Sequence, residues 1–456
     1  TQVFLEALAR AGEGFDLSYF AWADTPFLDP ELTKALVERH LRGAAEYSYA
    51  DGWPDGLTPE ILSPGTAGIL AKINNGGEEP VMRDTIFTVL QKDINSFDIE
   101  TEISPVDLRQ RRITLAASSK RGLLLLRRLW DEGLAYAESK AEAAARIITE
   151  KPYLSRTLPS FYPVQVVSAC PQNCVLCPYT KSAGFKEINV LEENTIAENG
   201  FSYMSPDDFS LLLDKIEDFS DDAVIDLSLW GELALHPQKN KLIKAVLQRP
   251  SLALVIETSG IGWKKTDFET IALENAAAVK PRKNGMPPLS WIISLDSNDE
   301  AVYQKTRGQG FIEAVENARS IISLFPKDTY VQALRTRGNE ECIEKFYRFW
   351  KGENVNVIIQ KYDSFCGVMP SLSAADLSPV KRCPCWHISR DMPILLDGSV
   401  PVCREAVCNK LPVLGSALKE NLDAVWRRGE PLYEQQCAGN YNEICIKCDE
   451  YYTFNF

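Results

Sequence analysis

The chain has 456 residues, 45% of them hydrophobic, enough for two or three domains each with its own core, which argues against a single extended module. A formal net charge of −14 argues against a general binder of nucleic-acid backbones, because that affinity comes from Lys and Arg neutralising phosphates. No run of about 18 apolar residues and no basic-then-apolar leader is present, so a cytoplasmic protein with no membrane and no nucleic-acid partner is expected.

Twelve cysteines are too many to leave as free thiols, and they are not spread like a secreted disulfide scaffold. A reducing compartment with metal clusters explains them better. The start at Thr1 in place of Met leaves processing or truncation open.

In chain order, residues 1–130 form a first module. Its segment AWADTPFLDPEL (21–32), and the later Arg112-Ile113-Thr114-Leu115-Ala116 followed by GLLLLRRLW, resemble the nucleotide-sugar transferases, especially the CMP-sugar synthetases. The resemblance implies a magnesium ion held by two aspartates. Asp24 stands at the first position, whereas Ala116-Ala117-Ser118-Ser119 at the second removes the partner carboxylate, and the glycine- and lysine-bearing nucleotide loop is absent. One carboxylate without its partner binds Mg²⁺ weakly. A truncated, catalytically silent nucleotidyltransferase-like α/β module is therefore expected, used to dock a substrate. An Ala/Glu-rich helix over 133–150 dominates the linker that follows, 131–157.

From 158 to 375, short β-rich runs alternate with helical patterns, which argues a parallel α/β arrangement. The expected strands are PVQVVS (163–168), AVIDLSLW (223–230), LALVIETS (252–259), LSWIISLD (289–296), TYVQALRT (329–336) and VNVIIQKY (355–362). Ser205 followed by Pro206-Asp207-Asp208 predicts a capped helix start, with Phe209, Leu212, Leu213 and Ile216 on one face. In such folds ligands gather at the carboxyl ends of the strands.

The loop after the first strand reads CPQNCVLC, with Cys170, Cys174 and Cys177, ahead of a helix-poor segment PYTKSAGF (178–185). Three thiolates hold three corners of an iron-sulfur cube and leave one iron open. Structural zinc fits the spacing poorly, since paired CxxC motifs or paired histidines are missing here. The CxxxCxxC pattern resembles the radical S-adenosylmethionine (radical SAM) superfamily; Leu176 replaces the usual aromatic residue before the last cysteine. The resemblance implies a partial (β/α)6 barrel and a 4Fe-4S cluster whose open iron chelates S-adenosylmethionine (SAM). It also implies reductive cleavage of SAM to a 5'-deoxyadenosyl radical, fed by an external electron donor such as flavodoxin or ferredoxin.

The second strand runs into Trp230-Gly231-Glu232, which resembles the family's GGEP segment, implying that Gly231 and Glu232 hold the SAM amino group. By the same resemblance Thr258, Ser259, Ser294 and Asp296 face the SAM ribose and carboxylate, and Arg307 the carboxylate. Turn caps and a surface arginine are the plainer alternatives. His236 reads as a helix-start or packing residue.

Residues 376–456 break into short segments rich in Cys, Pro and Gly, a metal-stapled composition. Cys385, twelve intervening residues, Gly398, then Cys403, a gap, and Cys445-x-x-Cys448 resemble the SPASM/Twitch extension of radical SAM enzymes, and together with the N-terminal segment the spiro-SPASM group. This implies a small Fe-S domain with one auxiliary 4Fe-4S cluster on Cys385, Cys403, Cys445 and Cys448; a zinc site on the same thiols stays open, as does Cys383 in place of Cys385. Cys408 and Cys437 are weak catalytic candidates, Cys342 reads as core, and Cys366 is expected to point to the barrel mouth. The expected function is a radical SAM oxidoreductase that abstracts hydrogen from a peptide or small molecule. A nucleotidyltransferase with an iron-sulfur regulatory half, or a non-catalytic Fe-S or zinc scaffold, are the alternatives.

Overall fold

The computed structural model describes residues 1–179, 202–409, 411 and 413–453. The helix-poor expectation over 178–185 falls, beyond Tyr179, outside the described residues. The chain divides into two compact units, Thr1–Thr157 and Leu158–Phe456. Among the described residues no helix is long and apolar enough to cross a membrane.

The first unit holds a four-stranded sheet of β1 (Ser18–Phe20), β2 (Tyr47–Asp51), β3 (Glu60–Leu62) and β4 (Ile99–Ile103), in the order β1-β3-β2-β4. The β2–β4 pair is parallel, and β3 is antiparallel to both its neighbours. Its helices start where the local chemistry says they should. Asp29 caps Pro30–Gly43 by accepting from the Leu32 amide at 2.8 Å, Ser119 caps Lys120–Asp131 through the Gly122 amide at 3.1 Å, and Ser139 caps Lys140–Glu150. The expected helix over 133–150 thus begins at Lys140, after a short 3-10 turn, because Ser139 competes successfully for its first amides.

The second unit is built on a six-stranded, all-parallel sheet whose strands follow in chain order: β5 (Phe161–Pro163), β6 (Ala223–Asp226), β7 (Leu252–Thr258), β8 (Leu289–Ser294), β9 (Thr329–Arg335) and β10 (Asn356–Lys361). Alternation along the strands separates two apolar layers. Leu252, Leu254 and Ile256 pack outward against helices carrying Phe209, Leu212 and Phe268, whereas Phe161, Val224, Ala253, Val255 and Ile292 cluster on the other face. The Ser205 cap is formed as expected, accepting from the Asp208 amide at 3.0 Å.

The first strand differs from its expected position. The run 163–168 is apolar enough for a strand, but its backbone bonds are divided among three neighbours. Val164 donates to the Asp226 carbonyl, Gln165 to Ile394, and Ser168 to Ser202, so the regular ladder stops at Pro163. The Ile394 contact belongs to a C-terminal segment that continues the sheet beside β5, with parallel bridges Phe161–Asp391 and Val164–Ile394. A hairpin of β11 (Ser399–Pro401) and β12 (Val413–Ser416) follows. Lys215 fixes its exit by donating to the carbonyls of Ala417, Leu418 and Glu420 at 2.6, 3.0 and 2.8 Å.

Candidate active site

Residues of all six strands β5–β10 line one cavity of about 300 Å³, so the parallel sheet curls around it. The strand contributions come mostly from carboxyl ends, with Asp226, Glu257, Ser294 and Gln360, while Gln332 comes from the middle of β9. Below them lies the apolar cluster of Val224, Val255 and Ile292.

Cys170, Cys174 and Cys177 all line this cavity, together with Leu176. Burial pushes the Cys170 thiol up to about 12, and the neighbouring Glu232, Cys174 and Cys177 add to the push. The loop is pinned to the far end of the cavity. Val175 donates its amide to the Thr306 carbonyl at 2.9 Å, and Gln172 donates to the buried Tyr303 hydroxyl at 2.8 Å.

Glu232 is 3% exposed, so its hydrogen bonds decide its orientation. It accepts from the Thr258 hydroxyl at 2.7 Å, and from the Ser259 amide and hydroxyl at 2.8 and 2.7 Å. Burial pushes its carboxyl up; the Ser259 and Thr258 bonds pull the other way. Gly231 is required beside it, because a Cβ there would run into the Val167 carbonyl oxygen. Trp230, just before, takes a left-handed φ of 48°, and its carbonyl accepts from Gln165 at 2.9 Å.

Asp296 and Arg307 are ion-paired at 2.8 Å, and the second Asp296 oxygen accepts from the Leu334 amide at 2.8 Å. Burial disfavours the Arg307 charge, yet Asp296, Cys174 and Tyr303 more than offset it and hold the guanidinium protonated. Ser294 and Gln332 both donate to Glu257, at 2.8 and 2.7 Å. Asp226 is half-buried next to Glu257; desolvation pushes its carboxyl up to about 7, with Glu257 adding to the shift while Ser228 and Arg404 oppose it.

Sequence reasoning missed Asp226, Glu257 and Gln332 as cavity groups, and also Lys361, Asp363 and Arg404, which form its wall toward the C-terminal segment. Nothing in the strand patterns marks them beyond their place near strand ends.

The C-terminal thiols form a second group. Cys403 is pushed up by burial, by Glu405 and by the neighbouring Cys385, Cys448 and Cys445. The buried Gln436 bridges two of them, accepting from the Cys385 amide at 2.9 Å and donating to the Cys445 sulfur at 3.4 Å. Cys383 is half-buried and its sulfur contacts the Lys381 carbonyl at 3.8 Å. Cys366 does not point to the barrel mouth as expected. Phe365 and Cys366 both take left-handed φ, 51° and 56°, and this reversal leaves Phe365 on the cavity while Cys366 faces Cys448 and Cys403. Cys408 is buried with Leu229, Trp230 and Leu395, near Cys177; Cys437 packs beside Cys385 and Tyr433, and Cys342 is half-buried. His236 is a packing residue, with Nε2 against the Met204 carbonyl at 2.9 Å and Nδ1 accepting from the Gln238 amide at 3.0 Å.

No model of a known protein family matches the chain. A Treponema pallidum (strain Nichols) protein described as uncharacterized is 35% identical over 379 residues, covering 81% of this chain and 98% of its own length. The chain belongs to that protein's family. Another protein of the same organism, likewise described as uncharacterized, is 38% identical to 65 residues, or 14% of the chain and 30% of its own length. Solved structures similar to this chain include Streptococcus suis SuiB bound to precursor peptide SuiA, with 14% identity over 69% of this chain and 75% of that one, TM-score 0.47. SuiB bound to S-adenosylmethionine gives 13% identity over 72% and 82%, TM-score 0.46. BtrN in complex with AdoMet and 2-DOIA gives 14% identity over 64% and 93%, TM-score 0.40.

Proposed function

We propose that this chain is a radical SAM enzyme, with a 4Fe-4S cluster on Cys170, Cys174 and Cys177 and SAM on its open iron. The observation that supports this best is that the CxxxCxxC loop and the Glu232 carboxylate meet in one cavity at the carboxyl ends of six parallel strands. The residues fit the group. Three thiols outside any disulfide suit three irons, and the Gly231 backbone is held close to the loop at Val167. Thr258 and Ser259, which also line the cavity, fix Glu232 to receive the ammonium of SAM. Arg307, held charged against Asp296, takes the SAM carboxylate in this reading. When bound and reduced, such a cluster supplies the electron that splits SAM into methionine and a hydrogen-abstracting 5'-deoxyadenosyl radical.

In this reading Cys385, Cys403, Cys445 and Cys448 would hold a single auxiliary 4Fe-4S cluster, which would offer an acceptor for the product electron, and a flavodoxin- or ferredoxin-type protein would supply the first one. The substrate is a peptide or small molecule bound in the rest of the cavity. Nucleotidyl transfer is disfavoured at Asp24, whose carboxylate pairs with Arg83 and has Ala116 where a partner carboxylate would stand. Electron paramagnetic resonance of the anaerobically reconstituted, reduced chain tests the site: SAM is expected to change the signal of one cluster and leave the other unchanged. A spectrum indifferent to SAM would refute the assignment.

A further inference from the structure

The charges lining the cavity do not cancel. Each cation there already has a carboxylate: Arg307 has Asp296 at 2.8 Å, Arg390 has Asp391 at 2.5 Å, and Arg404 has Glu405 at 2.9 Å and Asp363 at 3.1 Å. Lys361 is held by Glu450 at 2.5 Å and Asp449 at 3.1 Å. Three carboxylates of the same lining, Asp226, Glu232 and Glu257, have no cation within ion-pair distance among the described residues. Glu232 is oriented by Thr258 and Ser259 toward the cysteine loop and is accounted for by the ammonium of SAM. Asp226 and Glu257 are not.

These two sit on adjacent parallel strands, β6 and β7, near their carboxyl ends. Both are held in place by neutral donors. Ser294 and Gln332 hold Glu257, and the Ser228 amide, at 3.1 Å, holds Asp226 together with its hydroxyl. Neutral donors orient a carboxylate without cancelling its charge. Directly below lie Val224, Val255 and Ile292, an apolar floor that screens poorly. The Asp226 carboxyl is raised first by desolvation, with Glu257 adding to the shift; Arg404 opposes it only in part, being committed to Glu405 and Asp363.

We infer that Asp226 and Glu257 together receive a protonated amine of the substrate, so that the molecule acted on is an ammonium compound and neither an anion nor a neutral polyol. The inference rests on the radical SAM reading for the word substrate, but the receptor itself does not. An ammonium carries three donors and one positive charge, which matches two adjacent carboxylates. A carboxylate or phosphate placed there meets like charge over an apolar floor, and a hydroxyl brings no countercharge.

The test is isothermal titration calorimetry of the full-length chain, with and without SAM, using the four-carbon series putrescine, butanediol and succinate. Putrescine is expected to bind at least about tenfold more tightly than butanediol, the scale of one charge-assisted bond, and succinate more weakly than either. The isosteric changes Asp226→Asn and Glu257→Gln are each expected to erode this preference, and the wild-type comparison stands without them should either fail to fold. Equal affinity for putrescine and butanediol overturns the inference. So does a preference that survives both substitutions, or one lost only together with SAM affinity, since the pair then serves SAM. A putrescine preference in a chain that binds no SAM leaves the amine receptor standing and overturns the radical SAM reading instead.

Discussion

Ser259 holds Glu232 with two hydrogen bonds, one from its amide at 2.8 Å and one from its hydroxyl at 2.7 Å. The strand end of β7 thus aims a carboxylate carried on the turn after β6. Glu232→Gln keeps the shape and removes the charge, so SAM affinity is expected to fall by about tenfold to a hundredfold, read by equilibrium dialysis. Ser259→Ala removes one of the two bonds and is expected to cost about fivefold.

Gly231→Ala should act on stability first. Its Cβ meets the Val167 carbonyl, which is backbone and cannot rotate away, so a loss of about 1–3 kcal/mol in denaturant unfolding is expected. An unchanged midpoint would contradict the close approach.

His236 is buried and neutral, its proton affinity pushed down to about 4 by burial. A histidine depressed in the folded state contributes stability that is fully present above its unfolded value near 6.5 and is lost as pH falls toward 4. Protonating Nδ1 also breaks its bond from the Gln238 amide. The wild-type protein is therefore expected to lose about 3 kcal/mol more than His236→Gln across that window, in parallel denaturant melts. Equal slopes would rule the histidine out as the acid-sensitive group.

The C-terminal thiols separate two neighbours in sequence. Cys385 is tied through Gln436 to Cys445, while Cys383 is half-buried and turned to its own strand of chain. Cys385→Ser is expected to lower bound iron from about eight per chain to about four, and Cys383→Ser to leave it at about eight. Zinc found in place of iron after anaerobic purification would overturn the cluster assignment.

Much of the parallel sheet was legible because buried parallel strands read as continuous apolar runs, as in LALVIET of β7 and LSWIIS of β8. The same signal misplaced the first strand, since Val164 to Ser168 are equally apolar but share their backbone bonds among Asp226, Ile394 and Ser202. Ser205 was legible as a cap because its hydroxyl acts within four residues. Asp226 and Glu257 were not, because a carboxylate near a strand end looks the same in sequence whether water or a cavity faces it. Cys366 was misdirected for a related reason: two successive left-handed residues, neither of them glycine, are invisible to residue preferences.

On the proposed function, the loop of Cys170, Cys174 and Cys177 holds the cluster that activates SAM. The most direct test is anaerobic incubation of the reconstituted, dithionite-reduced chain with SAM, with chromatography of the products. Methionine and 5'-deoxyadenosine are expected in equal amounts from the wild type, and neither from Cys174→Ala. No product from an iron-replete wild type, or unchanged product from Cys174→Ala, would contradict the claim.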